Sequence, residues 1–272
     1  GAVDPVGVQV TKVSGTGWKT PWGSNLTHRV NGVSIQSPWA GRLWISDSNN
    51  ILTRFPTPRG VAVNRDPSSP FFGRVYVANS TPNTTAGRSV GRGMYVMNAD
   101  LSDSPNFYGD NPQNSELFVA SANSPWMISM GSDGYVYIAV FTDNNGAAFR
   151  VDGNLQNPQW VLDYIGGPTT VPAPNNHGSL KRIRTTGSLA GGDLVVYTMD
   201  EDYVGDPSGP PLAPKNSIWR YDIGSGPLTN QTQGVLVATP APAWTTTGTQ
   251  DFAVGTNGYI YAIQNRSDGA EP

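Results

Sequence analysis

The stretch Ser124-Pro125-Trp126-Met127-Ile128-Ser129-Met130, Gly131-Ser132-Asp133-Gly134, Tyr135-Val136-Tyr137-Ile138-Ala139-Val140 decides the fold. Two short β-rich runs flank an Asp-Gly pair. Gly accepts the positive φ that a tight hairpin turn needs, so this pattern predicts two antiparallel strands. A third β-rich run follows at Ala148-Phe149-Arg150-Val151-Asp152. A fourth is Trp160-Val161-Leu162-Asp163-Tyr164-Ile165.

The same order recurs on either side. One copy begins at Pro58-Arg59-Gly60-Val61-Ala62-Val63-Asn64 and continues as Gly73-Arg74-Val75-Tyr76-Val77-Ala78-Asn79. Its third run is Gly93-Met94-Tyr95-Val96-Met97 and its fourth is Glu116-Leu117-Phe118-Val119-Ala120. Another passes through Leu180-Lys181-Arg182-Ile183, Gly192-Asp193-Leu194-Val195-Val196-Tyr197, Ser217-Ile218-Trp219-Arg220-Tyr221-Asp222 and Gly234-Val235-Leu236-Val237-Ala238. A further copy has two runs, Asp251-Phe252-Ala253-Val254 and Tyr259-Ile260-Tyr261-Ala262-Ile263, around Thr256-Asn257-Gly258. The earliest copy is weaker, with Gly32-Val33-Ser34-Ile35 as its first strand and Gly41–Asp47 with Ile51–Phe55 as its hairpin.

A four-stranded sheet standing alone leaves both faces wet. Packing such sheets in a ring buries them, which is the β-propeller solution. The chain therefore reads as all-β, a β-propeller of about five four-stranded blades at the repeat length such blades use. A β-sandwich does not require the same strand order to recur. Residues 1–272 are expected to form a single domain, or a piece of a longer chain. The last copy stops after two strands, and Val8-Gln9-Val10-Thr11-Lys12-Val13 has no partner in the repeat. The N-terminal strand is therefore expected to complete the last blade; the competing expectation is that the ring continues beyond Pro272.

Composition narrows the class. Charged residues make up 14% of the chain, against about 25% in a typical soluble domain. Long surface helices would bring more Glu and Lys. The net charge is -3, and the densest basic stretch is Lys181-Arg182-Arg184. Nucleic-acid binding needs clustered cations to displace counterions, so no nucleic-acid partner is expected and these three read as a solvated strand face. No apolar run is long enough to insert in a membrane as a helix. With no cysteine in the chain, disulfides, thiolate metal sites and a cysteine nucleophile are excluded.

Leu43-Trp44-Ile45-Ser46-Asp47-Ser48-Asn49-Asn50-Ile51 resembles the second-to-third strand hairpin of an NHL-type blade, and Pro58–Val63 is similar to that repeat's opening strand. The stretch Pro58–Asp100 also resembles propeller segments of large secreted multi-domain bacterial proteins. The resemblance implies a secreted or cell-surface binding module with a glycan or protein partner on a loop face, joined to other domains of a longer chain. It equally admits a metal-dependent hydrolase or lactonase with its site in the central channel, and a structural component of an extracellular assembly. It does not extend to the copper/zinc lyases of the family, which need several histidines where this chain has His28 and His177.

Candidate site residues follow from chemistry. Asp200, Glu201, Asp202 and Asp206 form the most acidic segment, and oxygen-only ligands suit a hard ion such as Ca²⁺. Trp18 and Trp22, in Gly/Pro-rich sequence, and Tyr203 are the candidate ligand-binding aromatics, whose faces stack on sugar rings or other flat groups. Asn64, Asn79, Asp200 and Asp251 are the strand-end residues that a channel metal would use; the competing role is to close turns. No catalytic residue is assigned.

Overall fold

Strands of three to seven residues, each followed closely by its antiparallel neighbour, are what short apolar runs separated by turn residues dictate. The computed structural model describes residues 2–3, 9–11, 27–30, 33–36, 58–81, 83–85, 88–90, 92–97, 125–141, 147–162, 180–201, 215–228, 232, 234–239 and 249–264. In chain order the strands are β1 (Ala2–Val3), β2 (Gln9–Thr11), β3 (Thr27–Val30), β4 (Val33–Gln36), β5 (Pro58–Val63), β6 (Val75–Asn79), β7 (Asn83–Thr85), β8 (Arg88–Val90), β9 (Gly93–Met97) and β10 (Ile128–Met130). There follow β11 (Val136–Val140), β12 (Ala147–Val151), β13 (Gln159–Leu162), β14 (Leu180–Thr186), β15 (Leu194–Asp200), β16 (Ile218–Gly224), β17 (Val235–Ala238), β18 (Thr249–Val254) and β19 (Ile260–Gln264).

The protein is all-β, with three antiparallel four-stranded sheets, β1-β2-β3-β4, β10-β11-β12-β13 and β14-β15-β16-β17. A three-stranded sheet, β5-β6-β9, and the pairs β7-β8 and β18-β19 complete the described strands. The runs from Pro58 onward that fall on described residues form strands in the expected order. Glu116–Ala120, expected as the fourth strand beside β9, lies outside the described residues, as does the Gly41–Phe55 hairpin.

Two readings are corrected. Gln9–Thr11, within Val8–Val13, does not complete the last sheet. It pairs through Val10 with Ala2 on one side and with Val30 on the other, so both its hydrogen-bonding edges are taken. Val33–Gln36 is not the first strand of a sheet but the last of the N-terminal one, with Ile35 opposite His28. The segment between Asn79 and Gly93 contains the paired strands β7 and β8.

Packing explains why the central runs are apolar at every position. Val136, Ile138 and Val140 face the β5-β6-β9 sheet, where they pack with Tyr76, Ala78, Met94 and Val96. The alternate residues Tyr137 and Ala139 face the β14–β17 sheet and pack with Ile183, Val196 and Tyr221. A strand sandwiched on both faces loses the apolar–polar alternation of a half-wet strand, and all five residues of β11 are buried. The last pair joins the stack through Phe252, which packs with Met199 and Ile218.

The first strands of successive sheets adjoin one another: β5 lies beside β10, β10 beside β14, and β14 beside β18. At Gly60 the approach is so close that a Cβ would lie 2.7 Å from the Ile128 backbone nitrogen and 2.9 Å from the Trp126 carbonyl oxygen. Only glycine fits there. The fourth strands are the outer ones: Trp160 on β13 and Val235, Leu236 and Val237 on β17 are exposed.

Candidate functional site

The strand order sorts the connections between two ends of the stack. At one end, the turn end, lie the connections 64–74, 131–135, 152–158, 187–193 and 255–259. At the other, the loop end, β6, β11 and β15 finish, β9, β12 and β16 begin, and the first strands β5, β10, β14 and β18 begin as well. Function concentrates where connections are displayed on a rigid scaffold, and the side-chain clusters gathered at the loop end make it the candidate site.

Two side-chain clusters occupy it. In the first, the Trp126 ring has the Arg59 guanidinium 4.1 Å from its centroid and the Phe141 ring 4.2 Å away, stacked at 19°. Two groups that close to one centroid must lie on opposite faces. Trp126 is therefore sandwiched between Arg59 and Phe141. Arg59 Nε donates to Ser80 Oγ at 3.3 Å, and Arg92 Nε donates to the Ser80 carbonyl at 3.1 Å, so the plane of the stack is fixed from β6 and β9.

The second cluster surrounds β14. Lys181 is buried; its Nζ lies 3.6 Å from Glu201 Oε1 and donates to Asn216 Oδ1 at 3.5 Å. Burial lowers its pKa from the usual lysine value, and the Glu201 carboxylate works against that shift. Arg182 and Arg184 share Asp251: Arg184 Nη2 is 2.7 Å and Arg182 Nε 3.3 Å from the same Oδ1. The expected solvated strand face is thus corrected. The three cations sit on an inner strand between sheets and are matched by carboxylates from β18 and from the end of β15. A buried cation without such a partner would be costly, and each of the three has a carboxylate within 4 Å, although Arg182 Nε, near Asp251, makes no hydrogen bond.

The acidic segment is divided. Asp200 ends β15 and is fully buried, and its charge adds to the burial that pushes the neighbouring Tyr221 phenol well above its ordinary pKa. Glu201 is half-buried and paired with Lys181. Asp202, Tyr203 and Asp206 lie outside the described residues, as do Trp18 and Trp22. Among the described residues no group of three or more His, Cys, Asp or Glu stands where it could hold a metal ion. The other channel candidates have local work. Asn64 Oδ1 accepts from the Asp66 amide at 3.0 Å and its Nδ2 donates to Ser69 Oγ, while Asn79 Nδ2 donates to the Thr81 carbonyl at 2.9 Å. Asp251 is held by the two arginines. His28 is on β3 and His177 lies outside the described residues.

One motif escapes a reading by composition. Gly87-Arg88-Ser89-Val90-Gly91 has the G-x-S-x-G spacing of a nucleophile elbow. Ser89 is the middle residue of β8, opposite Thr84, in a two-stranded hairpin. An elbow needs a sharp strand-to-helix turn that exposes the serine, and this context is a different one.

No family model matches the chain, and no curated protein matches it. Among solved structures it is similar to a DUF4623 family protein from Bacteroides eggerthii, at 10% identity and a TM-score of 0.48, over 94% of this chain and 56% of that one. It is also similar to a streptogramin B lyase, at 14% identity and a TM-score of 0.35, over 79% of this chain and 57% of that one. The chain thus spans little more than half the length of either.

Proposed function

We propose that the chain is a propeller-type binding module of about five blades, which takes a glycan at its loop end. The observation that carries this reading is the succession of β5, β10, β14 and β18 as adjoining first strands, because it sets the ends of β6, β11 and β15 and the starts of β9, β12 and β16 at one end. A sugar is suited by flat aromatic and guanidinium surfaces, and Arg59, Trp126 and Phe141 supply them. A protein segment is the other ligand that such loops suit. The module works outside the cell, secreted or at the cell surface, and is joined to further domains. The support for this location is the resemblance of Pro58–Asp100 to propeller segments of secreted bacterial proteins.

The test is a glycan array probed with the wild-type chain and with two variants, Trp126→Ala at the loop end and Asn257→Asp at the turn end. The expected result is a bound glycan class that Trp126→Ala loses and Asn257→Asp keeps. An empty array, with a stoichiometric metal found in the purified protein, would overturn the reading in favour of a metal-dependent hydrolase.

A further inference from the structure

Three sheets carry a tyrosine at one ladder position of their second strand. Tyr76 stands opposite Ala62, Tyr137 opposite Ser129, and Tyr261 opposite Ala253. In each, a small residue on the first strand leaves room for the ring. The first two tyrosines are fully buried, and each is covered by the sheet that follows. Tyr76 packs in the cluster with Phe149 and Val151, and its hydroxyl donates to the Gly153 carbonyl at 3.0 Å. Tyr137 packs against Ile183, Val196 and Tyr221. At the third position the corresponding face is open: Tyr259, Tyr261 and Ile263 are 68%, 55% and 65% exposed.

At the other end of the stack Ala62 of β5 turns toward the β10–β13 sheet. On the outward face Val61 and Val63 are exposed, while Val77 and Tyr95, in line with Val61 across the ladder, and Met97 are buried. That face is therefore covered over β6 and β9 and open along β5, and one more sheet set between the two ends of the stack closes both. The chain contains that sheet: β1-β2-β3-β4 is antiparallel, four-stranded and in simple sequence order, like the two complete sheets of the stack.

We infer that the face of Tyr259, Tyr261 and Ile263 is a seam between sheets, closed by the N-terminal sheet of the same chain, and not a ligand surface. The inference rests on the ring proposed above. It replaces closure by addition of β2, whose two edges are both taken, with closure face to face.

A chain without cysteine makes the test direct, because every thiol is an introduced one. Tyr261→Cys is combined in turn with single cysteines at Gln9, Val10, Thr11, Val33, Ser34, Ile35 and Gln36. Each double variant is treated with a short bis-maleimide, separated by size and mapped by mass spectrometry. Tyr259→Cys, on the same face, repeats the series should Tyr261→Cys lower the yield of folded protein. The expected result is a cross-link within the monomer, recurring at alternate residues of one strand. Cross-links between molecules would overturn the inference in favour of a second copy. A thiol that labels at the rate of a free peptide and gives no cross-link would overturn it in favour of an open face. Arg184→Cys with Asp251→Cys is the control for the stack itself. If that pair links while the residue-261 series does not, closure alone is overturned; if neither links, the ring falls with it.

Discussion

The turns Gly131-Ser132-Asp133-Gly134-Tyr135-Val136-Tyr137 and Gly255-Thr256-Asn257-Gly258-Tyr259-Ile260-Tyr261 are the same local object in two settings. In each, the first glycine's amide donates to the tyrosine carbonyl at 2.9 Å, and the second glycine adopts φ of +80° or +81°. In each, the Asp or Asn Oδ1 accepts the next tyrosine's amide at 3.1 Å, and the side chain also bonds the second tyrosine's hydroxyl. The surroundings then diverge. Asp133 pairs with Arg150 at 3.1 Å, both nearly buried, and Arg150 also lies over the Tyr135 ring and donates to Gln159. Ser132 Oγ donates to the Gly187 carbonyl of the next sheet at 2.7 Å. The turn at Asn257 is exposed. The comparison teaches that the turn is written locally, whereas its energetic weight comes from the strand and sheet placed beside it.

Exchanging the two side chains should give the largest difference. Asp133→Asn keeps the turn acceptor but strips the buried Arg150 of its carboxylate. Breaking such a pair costs about 3–5 kcal/mol, read as a drop in urea midpoint at unchanged slope. Asn257→Asp, at an exposed position, should stay within about 0.5 kcal/mol of wild type. Equal effects would mean that Arg150 contributes nothing to the contrast.

Alkaline titration comes next. Burial is the main cause that pushes the Tyr76 phenol up to about 12. The folded chain therefore holds this proton where the unfolded chain, with a tyrosine pKa of about 10, has lost it. The stabilisation is complete below the unfolded value and is lost as pH rises toward the folded one, by about 2–3 kcal/mol. Tyr137 and Tyr221 are shifted in the same direction by burial. Tyr76→Phe should make this limb of the stability–pH curve shallower. Denaturant melts across that range check it.

The first glycines sharpen the comparison. A Cβ at Gly131 would meet the Tyr137 ring at 2.6 Å, and one at Gly255 would meet the Tyr261 ring at 2.9 Å. Tyr137 is packed on all sides and cannot yield, so Gly131→Ala should cost about 1–3 kcal/mol as overpacking does. Gly255→Ala reads the closure inferred above: a covered Tyr261 cannot yield, so the cost in thermal melts should approach that of Gly131→Ala, and a clearly smaller cost would mark an open face.

The smallest effect should be the one the turns share. At Gly134 and Gly258 a Cβ meets nothing within 4 Å, so only the left-handed backbone is penalised. Alanine at either site should cost about 1 kcal/mol, nearly equally. A marked inequality would show that the turns are not locally equivalent.

Strand runs, their order and the hairpin at Asp133-Gly134 were legible because period, β-branching and turn glycines act over a few residues. Less legible was the cation cluster. Lys181, Arg182 and Arg184 look solvated in sequence because Asp251 and Glu201, which neutralise them, come from strands the chain reaches later. The role of Val8–Val13 was misread because an unpaired strand in sequence carries no label for its partner.

By itself, the sequence determined the all-β class, the repeated strand unit and the absence of thiol chemistry, since each follows from composition or short-range geometry. Tertiary structure alone decided which of two identical turns carries a buried ion pair, which tyrosine is covered, and where three cations find their carboxylates. Those outcomes depend on surfaces brought together from sheets far apart in the chain, and burial and charge pairing have no short-range signature.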